Sequence, residues 1–122
     1  MSASPRRVSR AKRRGDDQVT PTVVRDLVVE MVCVTHGDRF SRHKALLGQD
    51  CGDAAVRATA EGMVRLAFQQ VGGSYDDPGP EHLTRVVNLL AERSLEWGAS
   101  PDLVFRSHSD VTRRIGHLLT SS

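Results

Sequence analysis

The stretch PEHLTRVVNLLAERSLEW, residues 80–97, indicates the fold class of this chain more clearly than any other part of it. Pro80 suits the first turn of a helix and Gly98 suits its end, because proline lacks an amide hydrogen and glycine tolerates a left-handed backbone. One set of side chains recurs every three or four positions, as on the inward face of an α-helix. That set comprises Leu83, Val86, Val87, Leu90, Ser94 and Trp97. The segment therefore predicts an amphipathic helix within a helical domain.

Upstream of this helix, the same spacing predicts further helices. Thr20 and Pro21 form a helix opening, and the valine-rich run that follows is expected to end at His36 and Gly37. A strand is the alternative for this run, because valine is β-branched and favours strands. A short helix over residues 38–47 is predicted next, since it has a capping aspartate at its start and a glycine just after its end.

Two more helical segments complete the predicted fold. Asp53 is expected to cap a longer helix, which the glycine pair at residues 72–73 ends. Its inward residues are expected to be Val56, Ala60, Met63, Val64, Ala67 and Val71. Pro101 opens the last segment, which is either one helix or a kinked pair broken near residues 107–109. We therefore predict an all-α chain, with a compact bundle of about five helices over residues 19–122.

The first 18 residues differ in composition from the rest of the chain. They contain few apolar side chains, too few to offset the entropy lost on ordering, so residues 1–18 are predicted to be a disordered basic tail. Six basic side chains lie within nine positions of this tail: Arg6, Arg7, Arg10, Lys12, Arg13 and Arg14. The whole chain carries a net charge of +2, and without these six residues 11 basic face 15 acidic residues, a net charge of −4.

A basic arm on an acidic body is typical of a segment that contacts an anionic partner, either nucleic acid or an acidic surface. Positive charges at this density would neutralise several phosphates with little regard to base sequence. The alternative is a solvated tail that only aids solubility.

Size and composition exclude several other classes of protein. A chain of 122 residues fits one domain, and its 39% of apolar residues is typical of globular proteins. Aromatic residues make up only 4%, which argues against nucleic-acid binding on a stacking platform. The two cysteines are too few for a disulfide framework, and neither a secretory signal nor a membrane-spanning segment is recognisable. We expect a cytoplasmic protein that does not enter a membrane.

Four potential zinc ligands lie within nineteen residues: Cys33, His36, His43 and Cys51. Thiolate and imidazole groups are the ligands that tetrahedral zinc favours, and Cys33 and His36 lie one helical turn apart. The spacing nevertheless differs from the paired short hairpins of structural zinc sites. The preferred interpretation is that Cys33 is a small core residue and that the histidines lie at helix ends, so no metal and no cofactor is expected.

No catalytic motif emerges from the sequence. A nucleophile on a glycine-flanked turn is absent, and the glycine pair at residues 72–73 lacks the lysine and hydroxyl of a phosphate-binding loop. His108 falls on the apolar side of the last segment, where a hydrogen-bonded core or interface histidine is the preferred interpretation over a proton-transfer group near Asp110. Enzymatic activity is therefore not expected, although a small helical enzyme or zinc-binding protein remains an alternative.

The function predicted from the sequence is a non-enzymatic regulatory or adaptor module that binds a protein partner or self-associates. Phe40, Trp97 and Phe105 are the candidate interface residues, because a bundle this small is not expected to bury all three. The main alternative is a helix-turn-helix DNA-binding regulator formed by residues 39–70. Its second helix would offer DNA the side chains of Arg57, Thr59, Arg65 and Gln69.

Overall fold

The computed structural model of the protein describes residues 19–121, which form four α-helices and no strand. The helices are α1 (Pro21–Leu46), α2 (Asp53–Gln70), α3 (Pro80–Glu96) and α4 (Pro101–Ser121). The prediction of an all-α chain is confirmed, whereas the predicted number of about five helices is slightly too high. The predicted disordered tail, residues 1–18, lies outside the described residues.

The valine-rich run and the short helix predicted after it form one helix, α1, of 26 residues. The predicted end at His36 and Gly37 is therefore wrong, as is the strand alternative. Gly37 keeps helical geometry, and a Cβ atom placed on it would meet only Val56, at 3.9 Å. Packing explains the continuity, because His36 is buried against α3 and Phe40 packs against the core one turn later. These tertiary contacts hold the helix together across a residue of low helix propensity.

The last segment is also continuous, so α4 has no break near residues 107–109. Its buried side chains form one stripe: Val104, Val111, Ile115 and Leu118. Between the first two of these, His108 Nε2 forms a 2.7 Å hydrogen bond with Asn88 Oδ1 on α3. A polar contact to the neighbouring helix thus takes the place of an apolar one, and the helix continues through its polar middle section.

Two of the observed helix starts were predicted from capping residues, and one of the predicted caps is shifted by one residue. Thr20 Oγ1 accepts a 3.2 Å hydrogen bond from the amide of Val23 at the start of α1. Gly52 rather than Asp53 is the residue before α2, so the predicted cap lies one position inside the helix. A negative charge in the first turn remains favourable there, because it faces the positive end of the helix dipole.

The four helices enclose one apolar core. α1 and α3 each pack against the three other helices, whereas α2 and α4 do not touch. The core is mostly aliphatic, and Phe68 of α2 is the largest side chain that is fully buried. The predicted inward face of α2 did not include Phe68. Its ring lies perpendicular to the ring of Tyr75 in the following loop, with 6.1 Å between the centroids. None of the helices within residues 19–121 combines the length and apolar character required to cross a membrane.

Candidate functional site

The strongest candidate for a binding site is an apolar groove of about 320 Å³ between α3 and α4. Val104 is buried in the groove, and the hydrogen-bonded pair of Asn88 and His108 lies along it. Leu95 and Phe105 line it, with exposed fractions of 39% and 58%. Large apolar side chains exposed beside a groove are typical of protein-binding surfaces, because a partner gains free energy by covering them.

The exposed side of α3 gives this groove a charged border. Arg85, Asn88, Glu92 and Leu95 follow each other at three- and four-residue intervals and are all exposed, so they form one stripe along the helix. Together with Phe105 and His108 of α4, the stripe forms a surface that we call the α3–α4 face. Arg85 and Glu92 are seven residues apart, or about 10.5 Å along the helix axis, too far to pair with each other. Within residues 19–121, neither has an ion-pair partner.

The other two predicted interface residues, Phe40 and Trp97, lie in a separate cluster around His36. The ring of His36 stacks on Phe40 at 5.7 Å and meets Trp97 edge-on at 5.4 Å, measured between centroids. Arg39 donates a hydrogen bond to the carbonyl oxygen of Trp97. Phe40 is half-buried and Trp97 is 39% exposed. Because both rings contact His36, they take part in joining α1 to α3.

His36 and Ser94 form the one buried polar pair of the described core, with 2.8 Å between Nε2 and Oγ. Burial, with a smaller contribution from the charge of Arg39, lowers the pKa of His36. A histidine next to a serine hydroxyl resembles part of a nucleophilic dyad. Both side chains are almost fully covered, however, so a substrate cannot reach them in this conformation. The pair is suited to connecting two helices.

The four candidate zinc ligands are not brought together. Cys33 and Cys51 both line a groove of about 480 Å³ between α1 and α2, but His36 points into the α1–α3 contact and His43 is exposed. Ser41 donates a hydrogen bond to the carbonyl oxygen of Cys51, and Ser41 lies eight residues, or about 12 Å, beyond Cys33 along α1. Within residues 19–121, no three His, Cys, Asp or Glu side chains are grouped as metal binding requires.

The electrostatics of the α1–α2 groove are mainly negative. Arg57 is its basic residue, and it pairs with Glu30 and lies 3.7 Å from Glu61, while Asp38 and Asp53 also line the groove. The hydrogen bond that Arg57 donates to the carboxylate of Glu30 raises the pKa of Arg57. Burial, followed by the charge of Glu30, raises the pKa of the Cys33 thiol, which disfavours the reactive thiolate.

The side chains proposed to read DNA on α2 are largely engaged within the protein. Arg65 lies over the ring of Tyr75, 4.3 Å from its centroid, and 3.6 Å from the carboxylate of Asp76. The hydroxyl of Thr59 donates to the carbonyl oxygen of Ala55 in its own helix, and Arg57 is paired as described. Gln69 is exposed.

Two apolar residues at the end of α1 were not singled out from the sequence. Leu46 and Leu47 are strongly exposed, next to the basic last turn of the helix. Leu95 of the α3–α4 groove was missed as well, because it lies between the inward and outward faces of its helix. Its position three residues after Glu92, in line with Arg85 and Asn88, is the signal in the sequence that could have identified it.

Comparison with protein-family models, with curated proteins and with solved structures finds no match for this chain.

Proposed function

We propose that this protein is a non-enzymatic regulatory or adaptor module of the cytoplasm, and that it binds a protein partner through the α3–α4 face. The observation that carries the proposal is the exposed ring of Phe105 beside Leu95 and the apolar groove. Burying such a ring in a partner is favourable by roughly 1.5–3 kcal/mol. The other two aromatic candidates already contribute to the contact between α1 and α3, which leaves Phe105 as the natural anchor.

The charges around the anchor describe the partner. Arg85 and Glu92 lie on the same stripe with opposite signs, so a complementary surface presents an acidic group to the first and a basic group to the second. Two helices side by side form an elongated face, which suits a helical partner lying along α3. The partner in this proposal is therefore a helix with an apolar side chain opposite Phe105 and with charges that match the stripe.

Site-specific photo-crosslinking tests this function. A benzophenone amino acid at position 105, in the full chain expressed in cells, should yield a discrete protein adduct upon irradiation. The same group at Ala58, an exposed position on α2, is the control and should yield none. The adduct should weaken when Glu92→Arg is added, because the partner would meet the wrong charge. Equal adducts at both positions, or none at position 105, would contradict the proposal.

A second candidate function belongs to the basic arm, residues 1–18, and is supported by its six clustered positive charges. In this proposal the arm binds the phosphate backbone of nucleic acid without reading the bases. The engagement of Arg57 and Arg65 within the body favours this mode over a helix-turn-helix reader, since those side chains would first have to leave their carboxylate partners. An acidic protein surface is the other partner that the arm's charge fits.

A further inference from the structure

The charge pattern of the α3–α4 face is self-complementary. Arg85 and Glu92 lie two helical turns apart on one stripe, with Asn88 midway between them, and neither is paired within residues 19–121. Reversing the direction of such a stripe exchanges the positions of its positive and negative ends. A second copy of α3 laid antiparallel therefore matches the first, whereas a parallel copy places like charges together.

We infer that the partner of the α3–α4 face is a second copy of this chain, with the two α3 helices antiparallel across a two-fold axis near Asn88. This inference depends on the proposed function and names the partner for the same face. Each Arg85 then faces Glu92 of the other copy, so one contact forms two equivalent ion pairs, as an isologous interface requires. The contact thus pairs Arg85 and Glu92 of each copy, neither of which has an ion-pair partner among the described residues.

The apolar residues fit the same arrangement. His108 meets Asn88, so Phe105 lies about one turn further along α3, level with Glu92. In the antiparallel register, this level faces Arg85 of the second copy. Phe105 and Leu95 would then pack on the aliphatic part of that arginine, while its guanidinium group reaches the carboxylate of Glu92.

Two further acidic residues lie on this side of α3, Glu81 and Glu96, and the antiparallel register brings each of them level with the other across the axis. These like charges lie at the ends of the two helices, and the position of Glu81 reduces their repulsion. Its carboxylate folds back over Gly79 at the helix N-terminus, where a Cβ atom on the glycine would lie only 2.7 Å from Oε1. The negative charge is thus held near the positive end of the helix dipole.

The size of the face predicts a weak dimer. Over the length of α3, about 25 Å, the two helices are together about 20 Å across and present roughly 500 Å², compared with about 800 Å² per partner in a standard stable interface. Self-association should therefore depend on concentration, and it should weaken with added salt because exposed ion pairs are screened.

Sedimentation of the full chain over a range of concentrations tests the inference. The native chain should show a monomer–dimer equilibrium. Arg85→Glu or Glu92→Arg alone places like charges across the axis twice, which should raise the dissociation constant by about tenfold or more. The double variant, Arg85→Glu with Glu92→Arg, restores both pairs in reverse and should dimerise like the native chain.

Recovery in the double variant separates pairing between copies from a structural effect, because the two residues do not touch within one chain. A native chain that stays monomeric, or a dimer that the single substitutions leave unchanged, would overturn the inference. If the chain is monomeric and position 105 still crosslinks to a different protein, the second copy is excluded while the proposed function stands. If position 105 yields no adduct, the proposed function itself fails.

Discussion

His36 is the residue whose chemistry differs most from what its neighbours in the sequence indicate. It lies between Arg39 and a run of valines, yet it is buried in the contact between α1 and α3 and bonded to Ser94. Burial disfavours the charged imidazolium, and Arg39 adds a like charge nearby, so the pKa of His36 is lowered. The folded state therefore favours the neutral form of this side chain.

The first prediction follows from this preference for the neutral imidazole. In the unfolded chain a histidine titrates near pH 6.5, whereas in the folded chain it takes up its proton only at a lower pH. Below about pH 6.5 the unfolded state binds more protons, so the free energy of unfolding should fall as the pH falls, until the folded-state pKa is passed. Urea denaturation between pH 7.5 and pH 5 measures this loss.

Two substitutions assign the effect to one side chain. His36→Gln removes the titrating group and should flatten the dependence on pH, although the variant is less stable overall because it loses the ring contacts with Phe40 and Trp97. His43→Gln, at an exposed position on the same helix, should keep the native dependence. The same slope in the native protein and in His36→Gln would contradict the assignment.

At the scale of elements, local signals predicted where helices begin but not always where they end. Thr20 with Pro21, and Pro80 and Pro101, mark true helix starts, because the cap and the fixed proline backbone act within a few residues. Gly37 resembles a helix end only when its contacts with other helices are ignored. Contacts with α2 and α3 keep it helical, and contacts of that kind are not encoded in the spacing of α1 itself.

The contrast between Gly37 and Gly48 gives the second prediction. Gly37→Ala should stabilise the protein by about 0.5–1 kcal/mol, because alanine is the better helix former and its Cβ meets Val56 at an ordinary contact distance. Gly48 follows α1 with a φ of 72°, so Gly48→Ala should destabilise by about 1–2 kcal/mol. The space around Gly48 is open, which leaves the backbone as the sole cause of that loss.

Urea denaturation of the two variants under identical conditions measures both changes. If α1 ended at Gly37, as the sequence alone indicates, the sign at position 37 would be reversed, because alanine would there replace a helix-ending glycine, as it does at position 48. Equal losses at the two positions would also contradict the continuous helix.

For the whole molecule, the proposed interface was only partly predictable from the sequence, because the composition of a surface depends on which helices meet. Phe40, Trp97 and Phe105 are equally plausible anchors in the sequence. Packing of α1 on α3 places the first two around His36, whereas Phe105 faces the groove beside α3. The stripe with its two opposite charges could be recognised from the sequence of α3 itself, but the proposed binding surface also depends on which helix lies beside α3.

Positive and negative charges are distributed unevenly along the chain. Several arginines of the body have carboxylate partners, including Arg57 with Glu30 and Arg113 with Asp110 at 2.6 Å. Beyond residue 18, acidic residues outnumber basic ones by 13 to 11. In our proposal a polyanion is attracted by residues 6–14, so binding through them should be separable from the proposed binding through the α3–α4 face.

That separation gives the last prediction. At low salt the full chain should bind duplex DNA of random sequence, with a slope of log affinity against log salt of up to about −5, for six phosphates neutralised. A variant of equal length with the six basic residues of positions 6–14 changed to glutamine should lose this binding and keep its α3–α4 contacts. Phe105→Ala is the reciprocal control, and should keep DNA binding with stability changed by less than about 0.5 kcal/mol. Unaltered DNA affinity in the glutamine variant would place the polyanion site on the folded body instead.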